Sequence, residues 1–482
     1  MNLKIKENRI FKTISCALSW RYFPFITAVL VVGFYYLEWD LVSVYYLGIT
    51  GILSVLLLEN LTPLISNFLF MGIIISEGHS PTTFGSESNA SEFLFQPAVL
   101  GQIIAVVSLY LIAIGIRIFM TVKSRKFKLT PAFYGLAILS FVFILNGLFS
   151  KGYSPTNLLY GFIMALCFLG VFALMKDNVI CNEKTFTDVA FAFMALSASL
   201  VLELFIKYVT TPDIIIAGEV NRGKLGFGWG MYNNMGMLMM LCLPSIMFIA
   251  GKHKYGYLFY GYAVLHSVAT VMTMSRQAIF AIAIIFPVCL VMLLWKGKNR
   301  LINAIISGGA LAVLIVLIII FREKLGAIFE LLTKDIESGN GRMGLWEDAI
   351  KNFKSAPLFG TGFFVDLAND PGFAGLSLIP DMYHNTIMQL LASCGLTGLI
   401  AYLVHRAQTI VSLVKKPSLP RIYIAVTVLS LLIVNLLDNH LFYILPTIVY
   451  SCLISILIKS ENTVEMIKPC NAPVATKIDE EK

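Results

Sequence analysis

A histidine and an asparagine, His384 and Asn385, open the apolar run DMYHNTIMQLLASCGLTGLIAYL at residues 381–403. An imidazole, with an ordinary pKa of about 6.5, takes up and releases protons near neutral pH, which suits a general base acting on an alcohol. Arg276, in TMSRQAIF, stands between two apolar runs with only a short turn around it. A guanidinium there is costly unless paired or lining a wet cavity, and its planar fork fits phosphate oxygens. Snorkelling to the interface is the plainer alternative. Arg222 and Lys224, in EVNRGKLGFGWGMYNNMG, and Arg342 add further cations, while Asn234 could hydrogen-bond a sugar or cap the next helix. No His–Cys cluster has zinc-like spacing, so neither metal nor cofactor is expected.

These residues need elements to hold them. Hydrophobic residues make up 58% of the 482-residue chain and charged ones 13%, against roughly a quarter charged in soluble proteins. Continuous apolar windows, several longer than the roughly 20 residues that span a bilayer, point to transmembrane helices rather than a barrel. Fourteen windows qualify, near 22–37, 41–58, 61–76, 97–120, 130–149, 157–175, 188–208, 229–250, 256–273, 277–295, 301–321, 384–405, 421–437 and 441–458. The expected fold is an all-α polytopic bundle of about 12–14 spans. A tail at 1–21 precedes the membrane domain at 22–458, and a second tail occupies 459–482.

Lys and Arg concentrate in alternate loops, including KSRKFK, KGKNR and HRAQTIVSLVKKPSLPR, so the positive-inside rule puts both termini in the cytoplasm. The net charge of +8 follows from those loops and argues for no nucleic-acid partner. Outside then lie EGHSPTTFGSESNASEF and the large hydrophilic segment 322–383, with His384 at its exit. Within that segment Trp346, Ala349, Ile350 and Phe353 share a helical face, and Glu347 pairs with Lys351. Pro357 ends that helix before a turn at Gly360 and Gly362. On a continuous helix His384, Met388, Leu391, Gly395, Gly398 and Tyr402 share one face, where the glycines admit a neighbouring helix. A histidine capping a packed span is the bland reading. LLDNHLF, with Asp438 and His440, reads as a tight turn between the last two spans.

In this order and topology, the motifs resemble the O-antigen ligase and polymerase superfamily. The match comprises His384-Asn385, nine residues, Gly395, two residues and Gly398; Ser275-Arg276; and Arg342, Trp346, Pro357, Gly360 and Gly362. It covers roughly 220–450. The resemblance implies a GT-C-like membrane glycosyltransferase in a bacterial cytoplasmic (inner) membrane, with its active site facing outside. Its donor would be glycan on a polyprenyl diphosphate, and its acceptor a glycan or lipid-linked glycan, possible partners being other polysaccharide assembly proteins. Arg276 and one of Arg222 or Lys224 would hold the diphosphate, and His384 would be the base. Arg342, Asn385 and Asn234 complete the expected substrate contacts. The family's Asn-Pro-Asn is Tyr232-Asn233-Asn234 here. Polymerase of O-antigen, capsule or exopolysaccharide repeats is favoured; a ligase to lipid A core is the close alternative. A transporter or flippase, or an assembly scaffold, represents other classes.

Overall fold

Apolar windows bounded by Pro, Ser, Thr and Asn become helices with defined starts. Thr130 and Ser154 cap the helices that follow them through their hydroxyls, and Asn182 with Thr185 forms a capping box. The computed structural model describes residues 8–75, 97–124, 129–216, 219–320, 342–364, 383–415 and 417–460. The expected external segment around His79, most of the 322–383 loop and the ends of both tails lie outside the described residues.

In chain order the helices are α1 (Arg9–Leu18), α2 (Phe23–Tyr36), α3 (Asp40–Leu57), α4 (Leu64–Ile75), α5 (Pro97–Lys123), α6 (Pro131–Phe149), α7 (Pro155–Asn178) and α8 (Glu183–Thr210). They continue with α9 (Tyr232–Lys252), α10 (Gly256–Met272), α11 (Arg276–Lys296), α12 (Arg300–Ile320), α13 (Arg342–Ser355), α14 (Thr386–Val414), α15 (Leu419–Leu437) and α16 (Ile444–Ser460). Among the described residues the only strands form two hairpins of two-residue strands between α8 and α9.

All fourteen apolar windows hold a helix. Among the described residues nine are long and apolar enough to cross a membrane, or ten if α1 and α2, which meet at 80°, count as one broken span. The 12–14 spans expected therefore include shorter pieces. Interruptions such as ENLTP leave α4 only 12 residues, below the roughly 20 that cross a bilayer.

The Met-rich α9 is the central helix, packed against α8, α10, α11 and α15. Its far end carries Lys252, which donates to Glu183 at the start of α8. Its near end, at Tyr232, belongs to the site described below.

α14 is broken. Gly395 has φ 63° and ψ −159°, which removes the helical bonds that Ala392 and Ser393 carbonyls would accept from Leu396 and Thr397. The segment after α13 replaces both. Thr361 and Gly362 donate to the carbonyls of Ala392 and Ser393 at 2.8 and 3.1 Å. The N–H groups of Leu396 and Thr397 turn instead to the carbonyls of Pro357 and Leu358, at 2.8 and 3.2 Å. Asn146 of α6 donates to the carbonyls of Phe359 and Ser393. In a membrane protein such freed groups must find protein partners.

The glycines thus differ from expectation. Gly395 does not widen a continuous face for a neighbouring helix; it breaks the helix and admits an extended segment. A Cβ there would lie 2.5 Å from the Leu358 carbonyl oxygen, and at Gly398 it would meet Cys394 Cβ at 2.2 Å. Replacing Gly395 with Ala is expected to destabilise the protein by about 1–3 kcal/mol from backbone strain alone, and further through the clash. Thermal unfolding in detergent checks this, and an unchanged Tm would show that the break does not depend on glycine.

The expected amphipathic helix forms as α13 and stops before Pro357. Ala349 is fully buried against α14, while Ile350 is exposed, so the buried face is narrower than its sequence pattern suggested.

Candidate active site

The start of α14 is fixed by one side chain. Asn385 accepts from the N–H groups of Ile387 and Met388 at 2.9 and 3.2 Å, and donates to the Leu436 carbonyl at 3.0 Å. It therefore caps α14 and fastens it to the end of α15. Gln389, one turn further in, accepts from the Tyr383 N–H at 3.2 Å and from the Asn439 amide at 2.6 Å. Between these ties, His384 adopts a left-handed backbone, φ 47°. Such a conformation in a non-glycine residue costs of order 1–3 kcal/mol and clusters at functional sites.

The turn that reads from sequence as a plain connection between helices carries the partner of His384. Asp438 ends α15 and is buried, and its Oδ1 lies 2.9 Å from His384 Nδ1. Its Oδ2 lies 3.7 Å from His440 Nε2. Burial alone would raise the Asp438 pKa. His440 once it is protonated at low pH, the hydrogen bond and charge of His384 and the Asn439 N–H outweigh that, holding it at about 2. An ionised carboxylate only accepts hydrogen bonds. His384 therefore donates through Nδ1, and in its neutral form Nε2 carries the free lone pair. The His384 side chain is 34% exposed, so that nitrogen is reachable. This correction has a sequence signal: two ionisable residues inside an otherwise apolar stretch, at the same end of the bundle as His384.

Arg276 begins α11, two residues after Met274, which has φ 57°. The residues on either side of it are locked to α9. Ser275 donates to Asn233 Oδ1 at 3.1 Å, and Gln277 donates to the Asn233 carbonyl at 3.3 Å. The Gln277 amide nitrogen also lies 2.7 Å from His440 Nε2. Arg276 thus sits on a framework continuous, through Gln277, His440 and Asp438, with His384. Asn234 is half-buried at the start of α9, against Gly230.

Arg222 and Lys224 share a short 3-10 turn between the two hairpins. Buried Leu225, Phe227 and Trp229 anchor the following hairpin, and Gly228 N–H donates to the buried carboxylate of Glu203 on α8. Lys224 is engaged locally, donating to the Pro212 carbonyl at 2.8 Å with Asp213 3.8 Å away. Arg342 opens α13, one turn before Trp346, whose indole N–H donates to the Tyr383 carbonyl at 3.0 Å. Asn352 donates to the Tyr383 hydroxyl at 2.7 Å. α13 is thereby docked beside His384.

The starts of α9, α11 and α14 thus gather at one end of the bundle with His384 and Arg276, and partial positive charge at helix starts favours anions. Among the described residues no group of three or more His, Cys, Asp or Glu is placed to hold a metal ion.

Residues 261–403 match the family model described as O-antigen ligase. That segment contains Arg276, Arg342, His384, Gly395 and Gly398, and ends before Asp438. No curated protein matches the chain. Over residues 261–403, this helical membrane protein is similar to the O-antigen ligase family, which supports a place in the O-antigen ligase/polymerase superfamily.

Proposed function

We propose that the protein is a glycosyltransferase that takes glycan from a polyprenyl diphosphate at the external face of the cytoplasmic membrane and passes it to a sugar hydroxyl. The observation that carries this reading is the His384–Asp438 pair, built into the same framework as Arg276. In the reaction His384 Nε2 takes the acceptor hydroxyl proton as the oxygen attacks the anomeric carbon. The bond from that carbon to the diphosphate oxygen breaks, and Asp438 stabilises the imidazolium. Negative charge grows on the departing diphosphate, and Arg276, with Arg222 or Lys224, would stabilise it. Arg342, Asn385 and Asn234 complete the proposed substrate contacts, Asn385 chiefly by positioning His384.

The acceptor distinguishes two outcomes of one chemistry. Growth of lipid-linked repeat units makes the protein a polymerase, the reading favoured here; transfer to lipid A core makes it a ligase. Reconstituting the purified protein with polyprenyl-diphosphate-linked repeat units and following glycan length decides between them. A ladder identifies the polymerase. Product only after lipid A core is added identifies the ligase. Translocation without any transfer would replace the proposal with a transporter.

Arg276→Ala is expected to lower the transfer rate by about 10²- to 10³-fold, the scale for losing one charge-stabilising donor in a transition state. Arg276→Lys should recover only part of it, because an ammonium lacks the two-pronged geometry. Equal rates for wild type and Arg276→Ala would remove Arg276 from the diphosphate site.

A further inference from the structure

His440 and Gln277 lie behind the candidate base and take no part in the chemistry above. Both are almost completely buried, at 1% and 2% exposure. The orientation of the Gln277 amide follows from Asn233. A backbone carbonyl only accepts, so the amide nitrogen, not its oxygen, must face the Asn233 carbonyl at 3.3 Å. The same nitrogen lies 2.7 Å from His440 Nε2, and its second hydrogen points there. His440 Nε2 therefore accepts with its lone pair, and the ring proton resides on Nδ1. A protonated Nε2 would have to give up the Gln277 bond.

We propose that Gln277 acts on the catalytic pair through His440: by donating to His440 Nε2 it keeps that imidazole uncharged, so the buried Asp438 carboxylate serves one imidazolium, His384, rather than two. The inference rests on reading His384 as the base, and it makes Gln277 and His440 positioning residues.

No described group accepts from the buried Nδ1, so the tautomer rests on the Nε2 side and on the charges around the ring. Asp438, from the end of α15, is 3.7 Å from Nε2, and the Tyr443 ring centroid is 5.7 Å away. His384 faces the same carboxylate from the start of α14, and Gln277 comes from α11 next to Arg276. Burial and the charge of His384 push His440 toward its neutral form, and Asp438 alone opposes them. Without the Gln277 donor, His440 Nε2 is free to bind a proton and turn it toward Asp438. Two imidazoles would then share one carboxylate, and the added cation would weaken proton binding at His384.

The test uses the full-length protein in detergent and does not depend on transfer activity. Diethyl pyrocarbonate reacts with neutral imidazole, and the partly exposed His384 is open to it. The pH dependence of modification is read on the His384 peptide by mass spectrometry for wild type, Gln277→Met, His440→Phe and the double variant. Gln277→Met should lower the midpoint by about one pH unit, the lower end for a nearby like charge. His440→Phe and the double variant should stay near wild type, since neither has a second imidazole to protonate. Gln277→Leu repeats the measurement if the Met variant does not fold. An unmoved midpoint in the Gln277 variant overturns the proposal. So does a double variant as low as the single one, which would mean that losing Gln277 merely displaces Asp438. If the midpoints behave as stated but wild-type protein transfers no glycan, the Gln277–His440 arrangement stands and the glycosyltransferase reading fails.

Discussion

His384→Asn is expected to leave the protein folded and slow glycan transfer by about 10²- to 10⁴-fold, the range for losing a general base. Asparagine is the informative replacement because the position is left-handed, at φ 47°, where asparagine is tolerated better than other side chains that carry a Cβ. Its amide is also able to donate toward Asp438, in place of Nδ1. The substitution therefore removes the free lone pair of Nε2 while preserving local support. Initial rates measured with saturating donor and acceptor should fall, while Tm stays equal or rises. An undiminished rate would end the role of His384 as base without affecting the similarity of residues 261–403 to the O-antigen ligase family. A large fall in Tm would mean that His384 is required by the fold.

Asp438→Asn is expected to cost a comparable factor, about 10²- to 10⁴-fold, although Asp438 is buried and reaches no substrate in this mechanism. Two losses combine. The imidazolium formed in the reaction loses the anion 2.9 Å from its Nδ1. The neutral amide also offers donors as well as an acceptor, so it no longer enforces the tautomer with Nε2 free; a histidine held in the wrong tautomer is a poor base. The acidic arm of the argument has a definite sign. The Asp438 carboxyl is held at about 2, below its ordinary 3.8, so it remains charged through the neutral and mildly acidic range. Its contribution to stability is present above the ordinary carboxylate value and is lost as pH falls toward about 2. Loss of activity on mild acidification would accordingly not come from protonation of Asp438. A near-wild-type rate for Asp438→Asn at neutral pH would reduce Asp438 to a packing role.

Hydropathy identified all fourteen helical windows because lipid exposure is a local property, written in continuous stretches of sequence. It also placed His384 at the head of a helix and Arg276 at the head of another. The pairing of His384 with Asp438 was invisible, since the two are 54 residues apart and meet only through the packing of α14 against α15. Asp-Asn at a helix end has an adequate local explanation, and nothing local distinguishes a turn from an ion-pair partner. Gly395 was misread for a related reason. Small residues spaced along a helix signal close packing, and the pattern does not tell a continuous helix from a broken one whose free groups are met by residues 357–362. Lys224 and Arg222 looked equivalent in sequence; the ties of Lys224 to Pro212 and Asp213 depend on how the chain turns before the hairpins.

The lacing of residues 357–362 across the break in α14 also governs what evolution is free to change. Phe364 N–H is held by Asn157 at 3.1 Å, and the Tyr383 carbonyl by Trp346. Both ends of the stretch 365–382 are therefore clamped to the scaffold independently of its length or composition. Lengthening a loop with fixed ends costs little, about 0.6 kcal/mol for each doubling. Insertions there can accumulate without shifting His384, its carboxylate or the arginine on α11.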